Sequence, residues 1–441
     1  MPRLLTLQGL PGSDEPLLIA SYQWHELWFR VLLTDLRAIL DDNGTTFESV
    51  KLLRRGIALF NLFDLHADLV ESTFLRELAL TQPLRASRNK TFSDQLFQIA
   101  VLSRRLPHSD YPGLADAVRE YAARLKSFHA RFARIVRATL VPKRSGVPSY
   151  AEWLRLPELL DLQDGPKAAW AEAGHQPTAL MKTADIGTDE NMFIIVHQCF
   201  EIWFKVMLDH IDRAVAQILS GGITDAARLL RRAVQFQRLL NRQIEIPATM
   251  LPLDFMRFRH QKMEKDGKVL VTGLSPASGT ESYQFREIEI ACGLRDDPIF
   301  ANYLRGNEKL PIQLLTPHQS ARLAQPSLAD AFQRAVQQRG IARYDDLFTP
   351  ANVPNPHADL ADLADTLIEF DEAFRFWRLG HVSMVEKMIG AKSGTGFLGP
   401  EYLMETAGIK IQEKNRVFEE RQVRPRFFEE LWQVRTRMGA Y

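Results

Sequence analysis

Apolar residues recur at three- and four-residue spacing over most of the chain, a pattern typical of amphipathic and buried helices. The pattern predicts helices over these stretches: Glu26–Leu40, Leu52–Leu69, Leu114–Val141, Asn191–Leu219, Ala226–Ile244, Leu360–Phe376 and His381–Ile389. Strand-like alternation is scarce. Its best example, Lys268–Thr272, follows an Asp-Gly turn and predicts one arm of a small hairpin. The fold class predicted is therefore all-α, a helical bundle.

A proline- and glycine-rich break at 141–148 predicts a boundary between two modules. An internal repeat supports this division, because Tyr22–Leu33 and His197–Leu208 share Gln, Glu, Trp, Phe and Val at identical offsets. A second pair of matching segments follows at 52–55 and 229–232. Chance similarity between amphipathic helices is the alternative, but two aligned segments favour duplication. We predict a degenerate N-terminal helical module at 1–142 and a second domain at 143–441.

Composition and charge exclude several classes of protein. The 55 Lys+Arg residues nearly balance the 54 Asp+Glu residues, so no global electrostatic case for nucleic-acid binding exists. The segment Met1–Ile19 does not resemble a signal peptide, and no uncharged apolar run approaches the length of a membrane span. Two cysteines cannot form a disulfide framework, and the apolar surroundings of Cys199 predict a buried free thiol. These features predict a cytoplasmic protein with no membrane or nucleic-acid partner.

One histidine with possible chemistry lies in a strongly apolar segment. Phe193, His197 and Glu201 are spaced four residues apart and would share one face of a helix. An imidazole there requires a partner. It could be a core histidine hydrogen-bonded to Glu201 or to a backbone carbonyl, or it could face a ligand.

A second histidine, His381, belongs to an apolar stripe with Met384, Val385 and Met388. A neutral imidazole that faces an apolar pocket is what an axial haem ligand requires. A satisfied core histidine is again the alternative. Zinc is a weaker hypothesis, since the sequence has no HExxH motif and no paired CxxC.

A third set of residues could recognise a zwitterion. Phe255 and Arg259, four residues apart, could contact the ring and the carboxylate of an amino acid. The segment Gly394–Gly396 would allow close backbone approach, and Thr395 offers a hydroxyl. An ordinary surface arginine and a helix C-cap are the alternatives. The GxGxxG spelling at 394–399 follows a predicted helix, so a dinucleotide-binding fold is not supported.

Taken in order, these segments resemble the tryptophan 2,3-dioxygenase family of the haem-dependent aromatic oxygenase superfamily, over roughly 145–441. The matching stretches run from Tyr150–Gln163 through Asp189–Lys205 and Pro252–Arg259 to Leu274–Arg286, Trp377–Gly396 and Phe427–Arg437. The fourteen-residue step from His381 to Thr395 also fits the family. The resemblance implies the all-α bundle of tryptophan and indoleamine dioxygenases, here with an additional N-terminal helical module.

The resemblance also implies a role for each matching residue. His381 would be the axial ligand of haem b, and His197 the distal residue that accepts a hydrogen bond from the indole N–H. Phe193 would pack on the indole ring, Arg259 would pair with the substrate carboxylate, and Thr395 with its ammonium group. Further substrate contacts would come from Phe255, Tyr150 and Trp153, and further haem contacts from Trp377, Met384 and Val385. In the family, the helix carrying the Tyr150 and Trp153 positions is lent to a neighbouring subunit.

The activity that the resemblance implies is insertion of dioxygen across the indole C2–C3 bond of L-tryptophan, giving N-formylkynurenine. Departures from the family pattern lie beside the expected pocket: Trp153 replaces a tyrosine, Gly380 replaces a frequent arginine, and about a dozen residues are inserted within His260–Gly273. They leave two alternatives: mono-oxygenation of a tryptophan derivative or another aromatic amino acid, and haem or amino-acid binding without turnover.

The N-terminal module would carry no haem of its own. Tyr22 occupies the position of His197, nothing in 1–142 matches His381, and His25 is interpreted as structural. We therefore predict one haem per chain and a homo-oligomer, with a dimer of two-module chains favoured over a tetramer. The partners would be L-tryptophan, or a related indole amino acid, and dioxygen.

Overall fold

A computed structural model describes residues 15–74, 87–88, 93–108, 110–142, 148–163, 176–177, 187–259, 261–265, 268–272, 282–295, 317–350, 352–390 and 426–438, with isolated positions at 4, 7, 146, 392 and 403–404. Helices dominate these residues, which confirms the all-α prediction. The described α-helices are α1 (Glu15–Asp41), α2 (Phe47–Leu69), α3 (Asp94–Leu102), α4 (Leu114–Thr139), α5 (Tyr150–Trp153), α6 (Leu156–Leu160), α7 (Thr188–Leu219), α8 (Ile223–Gln243), α9 (Pro252–Arg259), α10 (Tyr283–Cys292), α11 (Pro317–Leu323), α12 (Leu328–Gln338), α13 (Ala358–Ile389) and α14 (Glu429–Arg437).

Short strands occur at a few places between the helices. The strands β1 (Ser87–Arg88) and β2 (Val141–Pro142) pair in parallel, and β3 (Gln176–Pro177) pairs antiparallel with β4 (Gln261–Lys265). The predicted hairpin is confirmed: β4 pairs antiparallel with β5 (Lys268–Thr272), with Gln261 opposite Thr272 and Lys265 opposite Lys268. The hairpin begins two residues after Arg259, so the sequence inserted at 260–273 contains a β-hairpin.

The helix α13 is longer than the periodicity predicted. We expected separate helices over Leu360–Phe376 and His381–Ile389, but one helix runs from Ala358 to Ile389. Gly380 costs about 1 kcal/mol inside a helix, which tertiary packing readily outweighs. Buried apolar positions continue on both sides of the glycine, at Phe374 and Val382.

The chain divides into two compact units: Met1–Ile202 with Arg242–Ser275, and Trp203–Asn241 with Pro276–Tyr441. In the first unit, α2 packs against α1 and α4, and α1 also packs against α3. Both copies of the proposed repeat are helical, within α1 and α7 for the first segment and within α2 and α8 for the second. The duplication and the boundary at residue 142 remain predictions.

The interior of the N-terminal helices is filled with aromatic rings. Phe128 lies 4.8 Å from Phe63 and 5.2 Å from Phe132, measured between ring centroids. His25 lies in the same cluster, 4.8 Å from Phe132, and its Nδ1 is 2.9 Å from the carbonyl oxygen of Ser21. Burial lowers the pKa of His25 to about 3, so its imidazole is neutral. These contacts agree with a structural role for His25.

In the second unit, the carboxylate of Asp371 on α13 fixes the C-terminal helix. Its Oδ2 accepts hydrogen bonds from the indole Nε1 of Trp432 at 3.0 Å and from the backbone N–H of Phe428 at 3.3 Å. Arg322 of α11 forms a bidentate pair with Asp212, with N–O distances of 2.6 and 3.0 Å. These contacts tie short elements to the long helices of the unit.

The helix α7 is long and apolar enough to cross a membrane by length and composition. However, 72% of its most apolar window is buried inside the protein, as expected for a core helix. Cys199 of this helix is buried as a free thiol, which confirms the prediction, and Cys292 is also a buried free thiol.

Asp35 of α1 and Arg55 of α2 form a buried contact between these two helices. Arg55 is fully buried, and its Nη1 lies 3.2 Å from Oδ1 of Asp35. Within the described residues, Oδ2 of Asp35 has no hydrogen-bond partner. Burial raises the pKa of Asp35 to about 7, although the charge of Arg55 acts in the opposite direction.

The shift makes the stability of the protein depend on pH. Because the folded protein holds a proton on Asp35 that the unfolded chain releases near pH 4, the contribution of this group to the free energy of unfolding falls as pH rises toward and through 7. We expect Asp35→Asn to remove this fall. Between pH 6 and pH 8.5, the free energy of unfolding of wild type should fall by roughly 1 kcal/mol more than that of Asp35→Asn.

The measurement is thermal unfolding at both pH values, with Asp116→Asn as the control because Asp116 is exposed on α4. A wild-type protein and an Asp35→Asn variant with parallel pH dependence would contradict the prediction.

Candidate functional site

The first half of α7, a mostly buried helix, leaves a phenylalanine and a histidine half-buried. Phe193 and His197 are half-buried, whereas Met192, Ile195 and Val196 around them are buried. The rings of Phe193 and His197 lie one helical turn apart, with centroids at 4.5 Å. Two neighbouring rings left partly uncovered on a core helix are typical of a ligand-binding surface.

The environment of His197 fixes its protonation. Nδ1 lies 2.7 Å from the backbone carbonyl oxygen of Phe193, so Nδ1 carries the proton and donates to that oxygen. Burial lowers the pKa of His197 below its ordinary value, which keeps the imidazole neutral. The backbone carbonyl, one of the two partners considered from sequence, therefore orients the ring. The other nitrogen, Nε2, is left as a hydrogen-bond acceptor.

The helix α9 adds the ring of Phe255 and the guanidinium of Arg259 to the unit that contains Phe193 and His197. Phe255 is buried, and its ring centroid lies 5.6 Å from that of Phe193. Arg259 lies one turn further along α9 and is also buried, with 2% of its surface exposed. The sequence alone left open whether Arg259 was an ordinary surface residue, and its burial rejects that interpretation.

Arg259 is a buried cation without an anion in the described part of the chain. Among the described residues, its Nη1 donates a hydrogen bond to the sulfur of Met256 at 3.5 Å, and its Nε has no hydrogen-bond partner. Burial without a compensating carboxylate lowers the pKa of Arg259. A buried charge is costly unless it is paired. The arrangement therefore fits an anionic group supplied by a ligand, and a planar carboxylate suits the guanidinium fork.

His381 lies on α13 in the second unit. Its ring centroid is 5.3 Å from that of Trp377, and the two planes are tilted by 32°. His381, Met384 and Val385 are all half-buried, which leaves a partly uncovered stripe of imidazole, thioether and aliphatic side chains. This donor set fits haem, because an imidazole can ligate the iron while apolar neighbours contact the macrocycle.

Two arginines and one glutamate form a buried cluster that connects α10 to this part of α13, and the sequence analysis gave none of them a role. Glu289 of α10 is fully buried, and its two oxygens accept from Arg378 at 3.0 Å and from Arg286 at 2.6 Å. Trp377, next to Arg378, packs on Phe285 with centroids 5.3 Å apart. The spacing of Arg286 and Glu289 is visible in the sequence, but their link to Arg378, 89 residues from Glu289, is not.

Tyr150 and Trp153 contact the N-terminal segment of their own chain. Ser149 begins α5 with a reciprocal capping box involving Glu152. The hydroxyl of Tyr150 donates to Oε1 of Glu26 at 2.9 Å. The ring of Tyr22 packs edge-on against both residues, with centroids 5.5 Å from Tyr150 and 6.0 Å from Trp153. Their expected role in substrate binding remains a prediction.

The structure thus brings together Phe193, His197 and Phe255, with Arg259 one turn beyond Phe255. Separately, it brings together Trp377 and His381, with Met384 and Val385 on the following turn. Thr395, the expected partner of an ammonium group, lies outside the described residues.

Comparison with known proteins gives the same family as the motifs. The family model for tryptophan 2,3-dioxygenase matches residues 143–344. A tryptophan 2,3-dioxygenase from a Nocardioides species is 34% identical over 262 residues, which cover 56% of this chain and 84% of that protein. One from Herpetosiphon aurantiacus is 30% identical over 306 residues, covering 65% of this chain and 97% of that protein. One from a Ruegeria species is 30% identical over 285 residues, covering 60% and 88%. The chain belongs to the tryptophan 2,3-dioxygenase family, a family of oxidoreductases of the dioxygenase class.

Proposed function

We propose that this protein is a haem-dependent oxygenase that inserts both atoms of dioxygen across the indole C2–C3 bond of L-tryptophan, giving N-formylkynurenine. The observation that carries the proposal is the buried guanidinium of Arg259, which no described carboxylate neutralises. An amino-acid substrate supplies the missing anion, and an aromatic one also fills the space beside Phe193 and Phe255.

Each recognition residue has a defined task. Arg259 binds the substrate carboxylate through paired hydrogen bonds, while Phe193 and Phe255 contact the indole ring. His197 is neutral and bonded at Nδ1, so its Nε2 accepts a hydrogen bond from the indole N–H. Thr395 binds the ammonium group. Together these contacts orient the C2–C3 bond and exclude water, which is the protein's main contribution to such a reaction.

His381 is the residue that would hold haem b, one per chain, with Trp377, Met384 and Val385 against the macrocycle. Haem supplies the dioxygen chemistry when it is bound. Residues around His381 would also keep its imidazole in place. The buried Arg378–Glu289 contact at 3.0 Å and the packing of Trp377 on Phe285 support that placement.

A second candidate function is mono-oxygenation of a tryptophan derivative or another aromatic amino acid. The β4–β5 hairpin favours it, because the hairpin starts two residues after Arg259, within the stretch inserted relative to the family pattern. Trp153 and Gly380 also depart from that pattern. These changes bear on substrate identity, and they leave the tasks of Arg259 and His381 unchanged.

We further propose that the protein acts in the cytoplasm as a homo-oligomer, with a dimer favoured. Dioxygen and the indole amino acid are its expected partners, and nucleic acid and membrane are not.

The test of the proposed function uses full-length protein purified after expression with an adequate haem supply. It should show a Soret band, and the ferrous protein mixed with L-tryptophan in air should develop the absorbance of N-formylkynurenine. Protein without a Soret band, or haem-loaded protein that leaves tryptophan unchanged, would contradict the proposal. A product with one added oxygen atom would favour the second candidate.

A further inference from the structure

Two basic side chains on α2, one helical turn apart, are buried where a solvated helix face would be expected. Lys51 is 5% exposed and Arg55 is fully buried, whereas Arg54 between them is exposed. Lysine and arginine are rarely buried unless they are paired. The partners of Lys51 and Arg55 therefore indicate what this pair does.

The pair contacts acidic and hydroxyl groups from elements distant in the sequence. The ammonium nitrogen of Lys51 lies 3.2 Å from Oδ2 of Asp189 and 3.2 Å from Oδ2 of Asp254. Arg55 donates from Nη2 to Oδ1 of Asp189 and from Nε to Oγ1 of Thr249, the latter at 3.1 Å. Both carboxylate oxygens of Asp189 are thus engaged by the same helix.

These partners lie directly beside the recognition residues. Asp189 is one turn before Phe193 on α7, and Asp254 is the residue before Phe255 on α9. Thr249 belongs to the 3₁₀ turn Pro247–Thr249, which leads into α9. The basic pair therefore joins the start of α7 to α9, and the Phe193 and Phe255 rings lie 5.6 Å apart across this joint.

The charges around Lys51 explain why the contact between the start of α7 and α9 depends on this residue. One ammonium group lies 3.2 Å from carboxylate oxygens of both Asp189 and Asp254. Without it, Asp189 would keep its contact with Arg55, but Asp254 would lose this cation, and the shared attraction of both carboxylates to one ammonium group would be gone. Buried ion pairs of this kind add little net stability compared with apolar packing, but they can fix one arrangement of elements against others.

We propose that Lys51 and Arg55 are positioning residues for the substrate site. They belong to the N-terminal module, which would thereby hold α9, with Phe255 and Arg259, at the distance from α7 that an indole amino acid requires. The substrate in this inference rests on the proposed function, whereas the mechanical link between Lys51 and α9 does not.

The kinetic test compares Lys51→Met with Lys51→Arg and with Arg54→Met, a control on the exposed side of the same helix. For haem-loaded full-length Lys51→Met, KM for L-tryptophan should rise about ten-fold while kcat changes by less than about three-fold, because ground-state positioning is lost and the chemistry is kept. Lys51→Arg retains the charge and should keep KM within about three-fold of wild type. Arg54→Met should match wild type.

Hydrogen exchange on the same proteins separates positioning from general destabilisation. Lys51→Met should speed amide exchange about ten-fold in the peptide covering 250–259, with exchange in α4 unchanged. Unchanged KM together with unchanged exchange at 250–259 would overturn the proposal. Faster exchange in α4 to the same extent would also overturn it, since that result shows a general structural role. If wild-type protein does not turn over tryptophan, the proposed function fails, and the exchange comparison still decides whether Lys51 holds α9.

Discussion

Arg259→Met should lower kcat/KM for L-tryptophan about 100-fold or more while leaving the unfolding temperature of the substrate-free protein unchanged or higher. Removing one partner of a buried charge pair costs about 2–5 kcal/mol of binding, mostly because the other charge is left unpaired. In the substrate-free protein, by contrast, the guanidinium is buried, and among the described residues the sulfur of Met256 is its hydrogen-bond partner. Methionine fills similar space without a charge, so folding loses nothing.

Comparing L-tryptophan with tryptamine tests the role of the Arg259 guanidinium directly. Tryptamine has the indole and the ammonium group of tryptophan but lacks the carboxylate. Wild-type protein should prefer L-tryptophan over tryptamine by about 100-fold, and Arg259→Met should reduce the preference to within about three-fold. Arg54→Met is the matched control, because Arg54 is exposed on α2 in the same unit. An Arg259→Met variant that still discriminates like wild type would show that Arg259 does not bind the carboxylate.

His381→Ala should abolish stoichiometric haem binding, the largest effect that we expect from one substitution. Haem content per chain and the Soret band measure this directly and need no turnover. The matched control is His357→Ala, because His357 precedes the same helix and its side chain makes no capping hydrogen bond. His381→Gly should regain a Soret band when imidazole is added, since free imidazole can occupy the space left by the side chain.

Folding of the His381 variants is checked against haem-free wild-type protein by circular dichroism. A folded His381→Ala variant with the haem content and Soret band of wild type would contradict the ligand assignment.

Much of the fold is predictable from periodicity because the long helices bury apolar residues at helical spacing. The predicted helix Ala226–Ile244 corresponds closely to α8 (Ile223–Gln243), and the strand at 268–272 is placed correctly. The continuity of α13 was not predicted, since Gly380 interrupts the local pattern while the packing of Phe374 and Val382 decides the outcome.

The residues of the candidate site were predictable to the extent that they share a helical face. Phe193 with His197, and Phe255 with Arg259, are four apart, and spacing alone identifies such pairs. Spacing does not reveal that the ring of Phe255 lies against that of Phe193. Nor does it reveal that Lys51 contacts Asp189 and Asp254, which are 138 and 203 residues away in the sequence. Ion pairs at that separation leave no periodic signal, so only the tertiary structure shows that α2 contacts the segments carrying the predicted recognition residues.

The measurement that tests the central claim most directly is turnover of L-tryptophan by the haem-loaded protein under ¹⁸O₂, with the product analysed by mass spectrometry. The account predicts N-formylkynurenine in which both added oxygen atoms carry the label. A product with a single added oxygen atom, or no product from a protein with a full Soret band, would contradict it.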